Sequence, residues 1–276
     1  MPHLVSFLSH SSPLTEAIIF SLIFFACWNI ENIAGLLGDY RKWNHAFLNS
    51  KFIITGLPPQ IGMGVLFVTT ISWTTNNHFG ILHHLPYMHH PLILFLMSFI
   101  LLDLGEYIYH VIMHKSKRLW MFHAVHHSDN IVDVSTTLRE HPGEAIIRNL
   151  FTLLWIFLSG AIFWTLLLRQ LIQLVSNLLA HMNYRLPEKL DALAGLLFIT
   201  PNLHQVHHHY QQPYTDCNYG DVLSIWDRLF GTFCKLPYED IVFGVDVYMD
   251  KKVNSKYLLL IKMPFGKYIR SKKIDE

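Results

Sequence analysis

DLGEYIYHVIMHKSKRLWMFHAVHHSDNIVDVSTTLREHPGE, residues 103 to 144, decides how this chain reads, because it packs six histidines into one segment. His110 and His114 are four apart at the end of an apolar run, so on a helix both imidazoles leave one face, a turn apart. After a basic turn, Lys115 to Arg118, come His123, His126 and His127, which cluster on one side of a second helix. The same H-x-x-H-H spacing returns at His204, His207 and His208, preceded by a lone His181 in the sequence AHMN. In a chain with 19 histidines one i, i+4 pair is easily a coincidence, whereas three ordered clusters are not. Eight clustered imidazoles with His181 as a ninth are enough for two coordination shells. Neutral imidazole suits iron, zinc, copper and nickel rather than magnesium or calcium.

The pattern from about residue 95 to 235 resembles the fatty acid hydroxylase superfamily, also called the sterol desaturase family. Beyond the histidines, the resemblance rests on Asp103 seven before His110, R-x-H-P-x-E from Arg139 to Glu144, Asn183 two after His181, and NYG then WDRLFGT between Asn218 and Thr232. Val111 stands where the family usually has Arg, a departure that concerns packing or a headgroup contact rather than the ligand shell. The resemblance implies an integral membrane oxygenase with a non-haem centre of two iron ions. Its metal ligands would be His110, His114, His123, His126, His127, His181, His204, His207 and His208. It also implies O2 as co-substrate and a membrane lipid as substrate: a sterol, fatty acyl chain, sphingoid base or alkylglycerol, hydroxylated or desaturated. Zinc can occupy such nitrogens in a purified sample.

Composition agrees with a membrane protein: of 276 residues 51% are hydrophobic and only 15% charged, with a mean hydropathy of +0.28. A net charge of +1 without a basic, aromatic-interleaved stripe gives no nucleic-acid signal. Cys27, Cys217 and Cys234 are unpaired by spacing, which argues against a disulfide framework and a cysteine zinc site. Without a basic n-region or cleavage site, Leu14 to Ile30 reads as a retained helix, and Ile274 in the terminal KKIDE spoils a dilysine signal.

Apolar stretches at about 14 to 37, 52 to 73, 92 to 112 and 145 to 181 predict an all-α membrane bundle of four to five segments under a cytoplasmic helical cap that carries the dimetal site. The last stretch is long enough for a hairpin bent near Arg169, and Pro58 and Pro59 delay the second span to Gln60. The expected organisation is 1 to 90 for the N-terminal membrane helices and outer loop, 91 to 235 for the catalytic domain, and 236 to 276 for a basic cytoplasmic tail. Lysine and arginine are absent before Arg41, cluster at Arg41, Lys42 and Lys51, and return only at Lys115. The positive-inside rule then puts all three histidine clusters and His181 on the cytoplasmic face, of a bacterial inner membrane or endoplasmic reticulum. Arg169, at the expected outer bend, is the one dissenter. His78, His83, His84, His89 and His90 fall in the outer loop, about 30 Å away, and are read as bystanders. So are His3, His10, His45 and His209.

Histidine ligands usually have their second ring nitrogen held by a carboxylate or carbonyl. Asp103 and Glu106, on the helical face of His110, lead the candidates for this support, with His141, Asn183 and Asp216 also considered. His141-Pro-Gly-Glu superficially resembles the HPGG of cytochrome b5, but an apolar helix begins at once, so haem is rejected and His141 is read as support or helix entry. Aromatics such as Tyr107, Trp120 and Tyr219 could line a substrate path or form an interfacial belt. No flavin, haem or ferredoxin motif is present, so electrons would come from a separate cytochrome b5 or ferredoxin. The lysines from Lys251 to Lys273 offer a surface for such an acidic donor or for headgroups. Two other classes compete. A histidine-rich metal transporter would place ligands near the bilayer midplane in broken helices. A zinc hydrolase would need a base such as that of H-E-x-x-H, which is absent.

Overall fold

The computed structural model describes residues 13–36, 40–246 and 251–266. His3, His10, Lys267, Arg270, Lys272 and Lys273 therefore lie outside the described residues. Helices account for nearly all the regular structure, and the described residues contain only two isolated β-bridges, Phe198 with Leu223 and His209 with Phe243. The long helices are α1 (Pro13–Ala34), α2 (Lys42–Asn76), α3 (Pro91–Lys115), α5 (Pro142–Ser159) and α6 (Phe163–His181). Between and after them come α4 (Lys117–His127), α7 (Glu188–Ala194), α8 (Pro201–His207), α9 (Ile225–Phe230), α10 (Lys251–Asn254) and α11 (Tyr257–Lys262).

Three stretches, Lys42–His84, Pro91–Lys115 and Phe163–His181, are long and apolar enough to cross a membrane, and Ile18–Ala34 is a shorter apolar helix. Pro142–Ser159, the first arm of the expected hairpin, is not among them. Large apolar side chains such as Leu22, Ile54, Ile61 and Val65 point outward on α1 and α2, as a lipid-facing surface requires. Inward, Ile71, Leu82, Leu102, Ile156 and Leu166 form one core between the long helices. Each contributes about 1.5–3 kcal/mol when fully buried. Gly105 lets α5 approach α3 closely, since a Cβ there would meet the Trp155 ring at 2.4 Å.

The helix ends follow local chemistry. Pro91 and Pro142 occupy first-turn positions where no N–H is needed. The His141 side chain caps α5 by accepting from Gly143 N at 2.9 Å. Gly160 ends the helix in the left-handed region, φ +70°. The hairpin thus turns at Gly160, not near Arg169 as expected. Arg169 sits within α6 and is 3% exposed, facing Glu106 at 3.9 Å and Asp221 at 3.7 Å, so it is no outer-loop cation and does not dissent from the charge pattern. Pro58 and Pro59 also fail to interrupt α2, which is continuous for 35 residues, roughly 52 Å at 1.5 Å per residue. Packing holds the helix on both sides of the lost hydrogen bonds: Phe52 meets Tyr257 edge-on at 4.9 Å, and the residues beyond the prolines lie along α5.

The cap is built around α4. Leu48, Phe52, Trp120, Ala124, Val125, Leu260 and Met263 bury a second core that draws α2, α4 and α11 together, so residues 257–263 belong to the packed structure rather than to a loose tail. Buried Arg139 ties the same region, donating to Val125 O (2.9 Å), Ser128 Oγ (2.8 Å) and Asn254 O (3.1 Å). His45 is no bystander: its Nδ1 faces Asp133 at 2.9 Å and its Nε2 faces Asp129 at 2.8 Å, which fastens α2 to the loop after α4. Contrary to the reading from spacing, Cys217 and Cys234 are joined as a disulfide. Asn218 lays the two segments side by side, its N–H donating to Thr232 O and its side chain bonding both backbone groups of the Cys234 pairing, a proximity that a separation of 17 residues hides.

Candidate metal centre

Helix α3 ends by presenting His110 and His114 one turn apart, and α4 follows after a single residue, Ser116. On α4, His123 and His127 are four apart and share a direction, while His126 diverges from His127 by one residue's rotation of about 100°. On and just after α8, His204 and His208 share a direction and His207 diverges. Each H-x-x-H-H box is thereby split. His110, His114, His123, His127 and His207 form one group, and His126, His181, His204 and His208 form another. Within each group one nitrogen per residue lies within 4.8 Å of the others. His181, at the end of α6, reaches the second group because α6 packs against α8. The groups abut: the His127 and His208 rings stack at 4.5 Å.

The outward-facing nitrogens are held by the chain. His110 Nδ1 faces Tyr219 O at 2.8 Å, His181 Nδ1 faces Asn177 O at 2.8 Å, and His207 Nδ1 faces Cys217 O at 2.7 Å. His123 Nδ1 faces Glu144 Oε1 at 2.5 Å. A carbonyl or carboxylate only accepts, so these four imidazoles donate from Nδ1 and keep the Nε2 lone pair inward. There Nε2 atoms confront each other: His110 and His123 at 3.1 Å, His126 and His181 at 3.0 Å, His181 and His204 at 2.9 Å. Where two such lone pairs face each other, neither can donate to the other. Nitrogens about 2.0–2.1 Å from a shared ion would stand about 3 Å apart. His127 is fully buried with both ring nitrogens unbonded, as is His207 Nε2. Burying such groups without a partner is costly, so the donor set fits metal ions in both groups. Burial and neighbouring imidazoles push His126, His127, His204 and His208 far below the ordinary histidine range. Burial brings His207 to about 3 despite the Cys217 carbonyl. All five are neutral near pH 7, the form that binds metal.

The other predicted residues have distinct places. Asp216 lies 3.4 Å from His114 Nδ1 and also meets Lys115 and Gln212. Asp103 is directed elsewhere: it accepts from Val222 N and Leu223 N at 3.3 Å and from the Trp226 indole at 2.8 Å, clamping α3 to the cap. Glu106 pairs with Arg148 at 2.5 Å. His141 caps α5 and faces Ile261 O, and Asn183 N donates to Glu31. None of these last four belongs to either histidine group. Sequence reasoning placed Glu144 among nearby acids without singling it out, and the R-x-H-P-x-E spacing was the available signal. The carbonyls of Tyr219, Asn177 and Cys217 had none, since every residue carries one. The outer-loop histidines and His209 are also outside both groups.

A cavity of about 300 Å³ touches both groups through His110, His123, His126, His181 and His204. It runs between α2, α5 and α6, where Arg148 binds Glu140 at 2.8 Å besides Glu106.

The sequence pattern of the family described as fatty acid hydroxylase matches residues 95–232. Ornithine lipid hydroxylase OlsE of Rhizobium tropici is 30% identical over 174 residues, which cover 62% of this chain and 50% of the relative. Alkylglycerol monooxygenase is 33% identical over 150 residues in Homo sapiens and over 153 in Danio rerio, covering 54% of this chain and 32% of each relative. The chain thus spans half or less of the length of these relatives. No solved structure matches.

Proposed function

Because the chain belongs to the fatty acid hydroxylase family, whose pattern covers half of it, we propose that it hydroxylates a membrane lipid with O2 at a histidine-held pair of iron ions. One observation carries this reading: nine histidines, seven of them fully buried, converge in two abutting groups on a single cavity. Related lipid hydroxylases and monooxygenases support oxidation of a lipid. His110, His114, His123, His127 and His207 would hold one iron, and His126, His181, His204 and His208 the other. When bound, the iron pair supplies the O2 reduction that makes an unactivated C–H bond reactive.

The rest falls to the chain. Glu144 and the carbonyls of Tyr219, Asn177 and Cys217 fix imidazole tautomer and direction. The cap cores and buried Arg139 exclude water and hold α4 against α2. The cavity aims one carbon of the lipid at the histidines. Residues 91 to 235 form the catalytic unit in this reading. Electrons arrive from a separate cytochrome b5 or ferredoxin on the cytoplasmic face, where the basic residues of the C-terminal segment favour an acidic donor. Desaturation begins with the same hydrogen abstraction and is the alternative outcome of the product assay.

The test is metal analysis joined to lipid mass spectrometry. Purified protein is expected to hold about two irons per chain and, with O2 and a reductant, to add one oxygen to a lipid; a loss of two hydrogens means desaturation. Full activity with zinc alone and without O2 would overturn the proposal.

A further inference from the structure

The wall that faces the histidines is polar where a hydrocarbon chain would need it apolar. On the side formed by the long helices it presents Gln60 of α2 and Gln170, Gln173 and Asn177 of α6, with Leu174 the one apolar side chain lining the cavity. Four amides inside apolar helices are costly in lipid and are placed there when they face a wet or ligand-holding interior. Carboxylates complete the lining. Glu106, Glu140, Glu144 and Asp221 are answered within it by Arg148, with Arg169 behind. Glu144 is 1% exposed, yet its Oε2 is buried without a hydrogen-bond partner, and so is Asp221 Oδ2. Acceptors therefore outnumber donors around the space in front of the histidines. An acyl chain entering there would strip water from these groups and return no hydrogen bond, at about 1–3 kcal/mol for each group left unsatisfied.

We propose that the part of the substrate held at the metal centre is the hydrogen-bond-donating polar end of a lipid, bearing hydroxyl or ammonium groups, and that the oxidised carbon lies in that headgroup or next to it rather than within an acyl chain. This rests on the oxygenase reading above and names the substrate's presented end. Gln60 lies at the mouth, exposed on α2 just past Pro58 and Pro59, so the headgroup enters between α2 and α6 while the tails stay in the bilayer against the outward apolar faces of these helices. The step balances as a hydroxylation. One C–H bond of the headgroup region is replaced by C–OH with one atom of O2, and the other atom leaves as water with two protons and two electrons from the external donor.

Source cells with and without the gene, grown under 18O2, provide the test, with tandem mass spectrometry locating the label. The expected result is a protein-dependent lipid species whose 18O stays with the headgroup or the carbon beside it when the chains are cleaved off. Label in the interior of a released acyl chain would overturn the inference and leave the oxygenase reading intact. No protein-dependent label at all would overturn the oxygenase reading and this inference with it. Gln60→Leu combined with Gln170→Leu adds a second measurement, since neither residue belongs to the histidine groups. The double variant is expected to keep its iron and to lower protein-dependent label about tenfold, the loss of one or two ligand hydrogen bonds. Undiminished label in this variant would show that the amide wall does not hold the substrate.

Discussion

Glu144 is the side chain whose removal should separate a ligand's support from the ligand itself. Its Oε1 holds His123 Nδ1 at 2.5 Å and accepts from Tyr109 at 3.2 Å. Glu144→Gln is expected to leave the fold intact and weaken metal retention by about 10–100-fold, as loss of such a partner typically does; iron remaining after graded chelator treatment measures it. His181→Ala is expected to deplete iron and abolish lipid oxidation, whereas His89→Ala, outside both groups, should do neither. A pH effect belongs to this scale too. His207 titrates near 3 in the folded chain, below the unfolded histidine value of about 6.5. A folded value so depressed means stability that is present above about pH 6.5 and is lost as pH falls toward 3, because the unfolded chain takes up the proton first. Metal-free protein should therefore melt at lower temperature at pH 5 than at pH 7, and His207→Asn should show a smaller drop. Equal drops in the two proteins would mean that His207 is not buried neutral.

Among the elements, α3 and α5 depend on one close approach. Gly105→Ala gains helix propensity of about 1 kcal/mol, but its new Cβ would sit 2.4 Å from Trp155 Cγ, closer than packed atoms tolerate. Overpacking of about 1–3 kcal/mol wins. The variant is expected to melt at lower temperature in detergent, and Gly105→Ala with Trp155→Leu to recover part of the loss. Helix α4 shows why the H-x-x-H-H spacing recurs. The i, i+4 pair His123 and His127 serves one group while His126 turns to the other, and α8 reverses the allocation with His204 and His208 against His207. Two helices thus bridge both groups, and neither group can move without the other.

For the whole molecule, the central expectation is one-sidedness: the loop at Arg41 and the cap around Lys189 on one face of the membrane, His89 on the other. Both Arg41 and Lys189 are exposed, as is His89. Cysteines substituted at these three positions should react with an impermeant maleimide from the same side for Arg41 and Lys189 and from the opposite side for His89. Reaction of Lys189→Cys from the side that labels His89→Cys would overturn the topology.

The sequence by itself determined the helical, membrane-suited class and drew attention to the nine histidines. Apolar runs of membrane length and imidazoles at helical spacing are local properties, written in consecutive residues. It could not divide those histidines into five and four, because that depends on where α6 and α8 bring His181 and His204 around α4. Nor could it distinguish Asp103, spent on clamping α3 to Trp226, from Glu144, which holds His123: both are acids near a box, and only the packing of α5 decides which one reaches an imidazole. His45 with Asp129, Cys217 with Cys234, and Arg169 with Asp221 escaped the sequence for the same reason. Each is a contact between segments that chain spacing leaves unrelated, and tertiary packing alone sets the distance between them.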